Sequence, residues 1–156
     1  MTEHNDLRTM RGRAVLVTGA GSGMGRATAE VFAADGAHVA LTDLPGTPLD
    51  EIAAELRAKG YSAEAWALDV TDAAAIRRVT DEVAARFGRL DALVNNAGIS
   101  AFCPIDDDAY DLIWDRAVAV LLTAHQRLIR AALPHLRRSD GGRIVNIAST
   151  EALGAT

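Results

Sequence analysis

The chain has 156 residues, 49% of them hydrophobic and 24% charged, a size that suits one domain and buries roughly 68–70% of the unfolded surface, so a true core is expected. Its formal net charge of −5, with no basic stretch interleaved with aromatics, argues against nucleic-acid partners. One cysteine, Cys103, excludes an internal disulfide and suits a reducing compartment; with no signal-like apolar segment near Met1 and no membrane-length run, a soluble cytoplasmic protein is expected.

Residues 1–10 are polar and mixed in charge and read as a flexible tail, leaving 11–156 as the folded domain. The apolar run Ala14-Val15-Leu16-Val17 predicts a first strand over 13–18. Thr18-Gly19-Ala20-Gly21-Ser22-Gly23-Met24-Gly25 then turns the chain into a helix over 23–35 that stops near Gly36. A second strand over 37–42 ends at Asp43, and a helix over 49–59 ends at Gly60. The third strand covers 62–68. Thr71 is expected to cap a helix running to Phe87, where Ile76, Val79, Val83 and Phe87 share one face. The fourth strand covers 90–95. A loop over 98–109 leads to one long helix over 110–138, and the turn Ser139-Asp140-Gly141-Gly142 opens a fifth strand over 143–148.

Strands alternating with helices predict a parallel sheet covered on both faces. The expected fold is α/β, a Rossmann-type doubly wound sheet of strand order 3-2-1-4-5, and ligands of such sheets bind outside the carboxyl ends of the strands where the order reverses. The strand ends carry Thr18-Gly19, Asp43, Asp69, Asn95-Asn96-Ala97-Gly98 and Ser149. The glycine turn is the most telling of these. Four glycines at 19, 21, 23 and 25 let the backbone approach a ligand closely, and the helix start beyond them offers unpaired N–H groups to a phosphate. Glycines of this kind also serve packing alone, so the loop gains meaning from Asp43 at the end of the next strand.

Together these strand ends resemble the short-chain dehydrogenase/reductase family. Its Thr-Gly-x-x-x-Gly-x-Gly pattern matches Thr18, Gly19, Gly23 and Gly25, and its Asn-Asn-Ala-Gly motif matches residues 95–98. Asp69-Val70, Trp114-Asp115-Arg116 and Gly142-Arg143-Ile144-Val145-Asn146-Ile147 resemble it too, so the likeness runs from about Arg11 over the front part of the family's usual domain. The resemblance implies hydride transfer between NAD(H) and a small alcohol or ketone, and a dimer or tetramer built on the long helix. It places the pyrophosphate on Gly19, Ser22, Gly23, Met24 and Gly25, and the adenosine ribose hydroxyls on Asp43. A 2′-phosphate would meet that carboxylate, with no cation at Leu44 to offset it, so NAD is favoured over NADP. Asp69 has two readings: acceptor from the adenine amino group with Val70 alongside, or acid at the start of the next helix. Asn96, Ala97 and Gly98 lie on the ligand side, Gly98 giving close backbone access to the ribose, whereas Asn95 is expected to tie neighbouring strands together. Ser149 is the expected substrate-orienting catalytic residue, stabilising charge as hydride moves. No metal site is expected, since consecutive Asp106-Asp107-Asp108 do not converge on one ion.

Two departures limit this reading. The family's asparagine in the long helix is replaced by Val120-Leu121-Leu122, which cannot hydrogen-bond a relay water. The family's tyrosine, followed four residues later by a lysine that lowers its pKa, has no counterpart before Thr156: Tyr61, Tyr110 and the only lysine, Lys59, lie elsewhere. The chain therefore reads as an incomplete member, inactive by itself, with an apolar fifth strand left at the sheet edge. The alternative is a non-catalytic nucleotide-binding or interaction module.

Overall fold

A computed structural model gives the fold for residues 9–149. Most of the expected tail and the segment after Ser149 lie outside these described residues. Met10, placed in the tail by composition, packs against the core, and its amide reaches Asp35 Oδ2 at 2.5 Å.

Five parallel strands form one sheet: β1 (Ala14–Thr18), β2 (His38–Asp43), β3 (Ser62–Ala67), β4 (Ala92–Asn95) and β5 (Arg143–Asn146), in the order β3-β2-β1-β4-β5. The helices between them are α1 (Gly23–Ala34), α2 (Leu49–Ala58), α3 (Ala73–Phe87), α4 (Tyr110–Val118) and α5 (Ala124–Leu136). All of β1 is buried, as expected of a central parallel strand covered on both faces. Alternation along the strands divides the core. Val15, Val17, Val39 and Leu41 meet Ile52 and Leu56 of α2 on one face. Leu16 and Leu93 meet Ile76, Val79 and Val83 of α3 and Leu128 of α5 on the other. Each such side chain, fully buried, contributes about 1.5–3 kcal/mol.

At the amino ends of the strands a charged clamp closes the sheet. Asp91 is fully buried just before β4. Its Oδ2 accepts from the Ala14 amide at 2.8 Å and from Arg89 Nε at 2.6 Å, and its Oδ1 accepts from Arg89 Nη2 and Ser139 Oγ, both at 2.6 Å. One carboxylate thus joins the starts of β1 and β4 to the turn that precedes β5.

Three local expectations are corrected. The cap of α3 is Asp72, whose Oδ1 accepts from the amides of Ala74 at 2.8 Å and Ala75 at 3.1 Å. Thr71 does not serve, because its amide and hydroxyl both donate to Asp69 Oδ1, at 2.8 and 2.7 Å. The long helix is not continuous: a π-helical turn, Ala119–Thr123, separates α4 from α5, and the Ala124 amide reaches back to the Ala119 carbonyl. The fifth strand closes at Asn146. Among the described residues it pairs only with β4, and Ile144 and Val145 remain 39% and 43% exposed.

Candidate functional site

The carboxyl ends of the strands open on a cleft of about 630 Å³, whose walls include Gly19, Ser22, Asp43, Asp69, Val70 and Gly98. The glycine loop lies folded on the strand ends beneath it. Gly19 takes φ +68°, and a Cβ there would come within 2.9 Å of the Ala97 Cα. A Cβ on Gly25 would strike the Gly19 carbonyl and the Asn96 amide, and one on Gly21 would strike Thr47. Gly23 differs: its φ is +50° and a Cβ would meet nothing within 4 Å, so this glycine faces open space.

Side chains from β1, β2 and β4 hold the loop in place. Asp43 ends β2; its Oδ2 accepts from the Gly21 amide at 2.9 Å and its Oδ1 from the Leu44 amide at 2.8 Å. Thr18 Oγ1 donates to the Val94 carbonyl at 3.3 Å and accepts from the amides of Asn96 and Ala97, both at 3.0 Å. Asn96 turns its Nδ2 back on the loop, donating to the Thr18 carbonyl at 2.8 Å. Asn95 is buried and its Nδ2 donates to Asn146 Oδ1 at 2.8 Å, tying β4 to β5 as expected.

The helix starts differ in what meets their first amides. The first turn of α2 carries Asp50 and Glu51, α3 is capped by Asp72, and α4 carries Asp111. At α1, Ser22 is extended and makes no side-chain cap bond, and the first turn holds no acid. The amides at the start of α1 therefore keep their positive character at the mouth of the cleft. Arg26, next in line, faces away, bonding Glu30 at 3.0 Å and Glu55 at 2.6 Å.

A family model described as short chain dehydrogenase matches residues 13–155. The chain belongs to the short-chain dehydrogenase family. It is 38% identical over 141 residues to D-threitol dehydrogenase of Mycolicibacterium smegmatis, covering 90% of this chain and 54% of that protein. It is 40% identical over 142 residues to meso-2,3-butanediol dehydrogenase of Serratia marcescens, covering 91% of this chain and 55% of that protein. The crystal structure of a short chain dehydrogenase from Mycobacterium smegmatis matches with a TM-score of 0.87 at 39% identity, covering 94% of this chain and 62% of that one. The chain spans about half the length of the curated relatives it matches.

Within this chain, the expected residues divide by place. Gly19, Ser22, Asp43, Asp69, Val70, Ala97 and Gly98 line the cleft together. Met24 is exposed at the start of α1. Asp69 holds Thr71 with Oδ1, and its Oδ2 accepts no hydrogen bond from a described residue. Ser149 follows β5 in an exposed irregular segment. The cleft also gathers Thr71, Ile99, Leu112, Arg116 and Val120, to which the sequence assigned no ligand role. Asp115 and Arg116 had a signal, since they belong to a quoted motif. Leu112 and Ile99 had none, because an apolar side chain facing a ligand looks like one facing a core. Leu121, in the asparagine's place, stands against Gly98: a Cβ on that glycine would lie 3.4 Å from Leu121 Cδ2.

Proposed function

We propose that this chain forms the cofactor-binding part of an NAD-dependent oxidoreductase that moves hydride between NAD(H) and a small alcohol or its ketone. The observation that carries the proposal is the uncapped start of α1, opening on the same cleft as Asp43 and Asp69. A pyrophosphate there receives amide hydrogen bonds from Ser22, Gly23, Met24 and Gly25 and a dipole contribution of about 0.3–1 kcal/mol. Gly23 leaves the space a phosphate needs, and Gly19 lets the loop lie close on Ala97. Asp43 takes the adenosine ribose hydroxyls, and Asp69, with Val70 beside it, takes the adenine. Ala97 and Gly98 line the sugar's path, while Asn96 acts through the loop it holds.

The cofactor supplies the hydride acceptor or donor; Ser149 orients the substrate oxygen and steadies its charge. Relatives named for D-threitol and meso-2,3-butanediol support a small polyol as the substrate class. Exposed Trp114 and Leu122 along α4 and the π turn support assembly as a dimer or tetramer. No helix among the described residues is long and apolar enough to cross a membrane, which is compatible with work in the cytoplasm.

Titration calorimetry with NAD and NADP tests this reading. The 156-residue chain should bind NAD at least about tenfold more tightly than NADP, a difference near 1.4 kcal/mol. It should not turn over a polyol by itself. Asp43→Asn should narrow the gap between the two nucleotides. Equal or tighter NADP binding would overturn the role given to Asp43, and no nucleotide binding at all would overturn the proposal.

A further inference from the structure

The face of the molecule formed by α3 and α5 carries a feature outside the nucleotide cleft. A groove of about 390 Å³ runs between the two helices, lined by Ala73, Arg77, Gln126, Arg127, Arg130 and Ala131. Arg127 and Arg130 are neighbours on one face of α5 at i,i+3 spacing, and Arg77 comes from α3 opposite. Among the described residues no carboxylate lines the groove. The acids of α3 are engaged elsewhere: Asp72 caps the helix, Asp81 meets His135 Nε2 at 2.7 Å, and Glu82 accepts from Arg78 at 3.1 Å. Among the described residues neither Arg77 nor Arg130 is in an ion pair. Three guanidinium groups thus line one groove in a chain whose formal net charge is −5, and the nearby Asp72 carboxylate, which feels the charge of Arg77, is held by its cap bonds. Like charges at this spacing disfavour the fold by themselves, and only Arg127 has a structural partner, the Thr71 carbonyl.

We infer that Arg77, Arg127 and Arg130 form a second anion site, for a small phosphate-type oxyanion, separate from the nucleotide cleft. Arg127 is the fixed member. It is half-buried, and its Nη1 donates to the Thr71 carbonyl at 2.9 Å, which leaves the other donors of a rigid fork for the ligand. Arg77 and Arg130 are exposed and close from either side, and Gln126 adds an amide donor. The groove is large enough for a small anion, and the negative charge of the whole chain disfavours a long polyanion. The site also touches the nucleotide cleft through one residue. Thr71 gives its carbonyl to Arg127 and its amide and hydroxyl to Asp69, so occupancy of the groove is transmitted to the floor of the cleft.

Inorganic pyrophosphate, titrated at constant ionic strength into the isotope-labelled 156-residue protein, tests the inference by backbone amide NMR. Saturable shifts are expected at residues 73–77 and 126–131, with Thr71 moving in step. Shifts at residues 22–25, from the same probe at the start of α1, form a separate set. The R77Q/R130Q variant should lose at least about tenfold in affinity for the first set and keep the second. At about five times the dissociation constant the anion should raise the melting temperature by about 2–4 °C. Shifts confined to residues 22–25, or equal shifts with chloride alone, would overturn the site. Unchanged affinity in R77Q/R130Q would do the same. Mapping on the unaltered protein decides the question should the variant fail to fold.

Discussion

At the amino ends of the strands, the Asp91 carboxylate is fully buried and each of its oxygens holds two partners. At the carboxyl ends, a helix starts with no capping side chain over a cleft of about 630 Å³. The same chain therefore satisfies a buried charge completely at one end and leaves helix amides open at the other. A buried polar group without a partner costs free energy, so complete pairing marks the end that stabilises the sheet. Open donors at a solvated mouth cost little and mark the end that receives a ligand. The two ends should respond differently to substitution, and that difference can be measured.

The largest effect is expected at Asp91. Asp91→Ala leaves the Ala14 amide and the Ser139 hydroxyl without their acceptor and Arg89 without its partner. Breaking a buried pair costs about 3–5 kcal/mol, and since the Arg89 side chain is 42% exposed and can turn to water, a loss of about 3 kcal/mol in urea unfolding is expected. Burial pushes the Asp91 carboxyl up, but the hydrogen bonds from Arg89, Ser139 and Ala14 outweigh it and hold it below the ordinary carboxylate range. A carboxyl depressed in the folded state contributes stability that is complete above its unfolded value, about 3.9, and is lost as pH falls through the lower folded value. Asp91→Asn should therefore flatten the acid limb of the stability curve. A loss under about 1 kcal/mol for Asp91→Ala would dissolve the contrast between the two ends.

Gly25→Ala should come next, at about 2 kcal/mol, because the new methyl collides with the Gly19 carbonyl and the Asn96 amide and forces α1 away from the strand ends. Nucleotide binding should be lost with it, since the start of α1 moves. Unfolding and titration of the same variant separate the two losses: intact binding with reduced stability would mean that the loop tolerates the shift.

The architecture was legible because its signals are local. Apolar runs of strand length separated by Gly36, Gly60 and Gly88 give the order of elements, and Asp43 falls at the end of its run. Asn95 was legible too, as a polar residue closing a buried strand. The π turn was not, because Val120-Leu121-Leu122 continues an apolar helical pattern and i→i+5 bonding leaves no trace in composition. The cap of α3 was misplaced by one residue, since Thr71 and Asp72 are both good caps and only the bond from Thr71 to Asp69 decides between them. The clamp at Asp91 and the groove at Arg77, Arg127 and Arg130 depend on residues far apart in sequence. Each looks like an ordinary surface charge until the fold brings its partners together.

Gly23→Ala is the smallest and sharpest test. Nothing lies within 4 Å of the added Cβ, so the stability cost comes only from the left-handed backbone at φ +50°, about 1 kcal/mol. That value is about half the cost expected at Gly25, where the backbone is ordinary helix and the cost comes from collision. In binding the order should change. The methyl at residue 23 projects into the open side of the loop, where the pyrophosphate is proposed to lie, so NAD affinity should fall about tenfold although the fold barely notices. A variant that loses stability and keeps its affinity would assign Gly23 to the turn alone. A variant that keeps most of its stability and loses affinity would show that the space above this glycine is kept for the ligand, which is what separates the open end of the sheet from the clamped one.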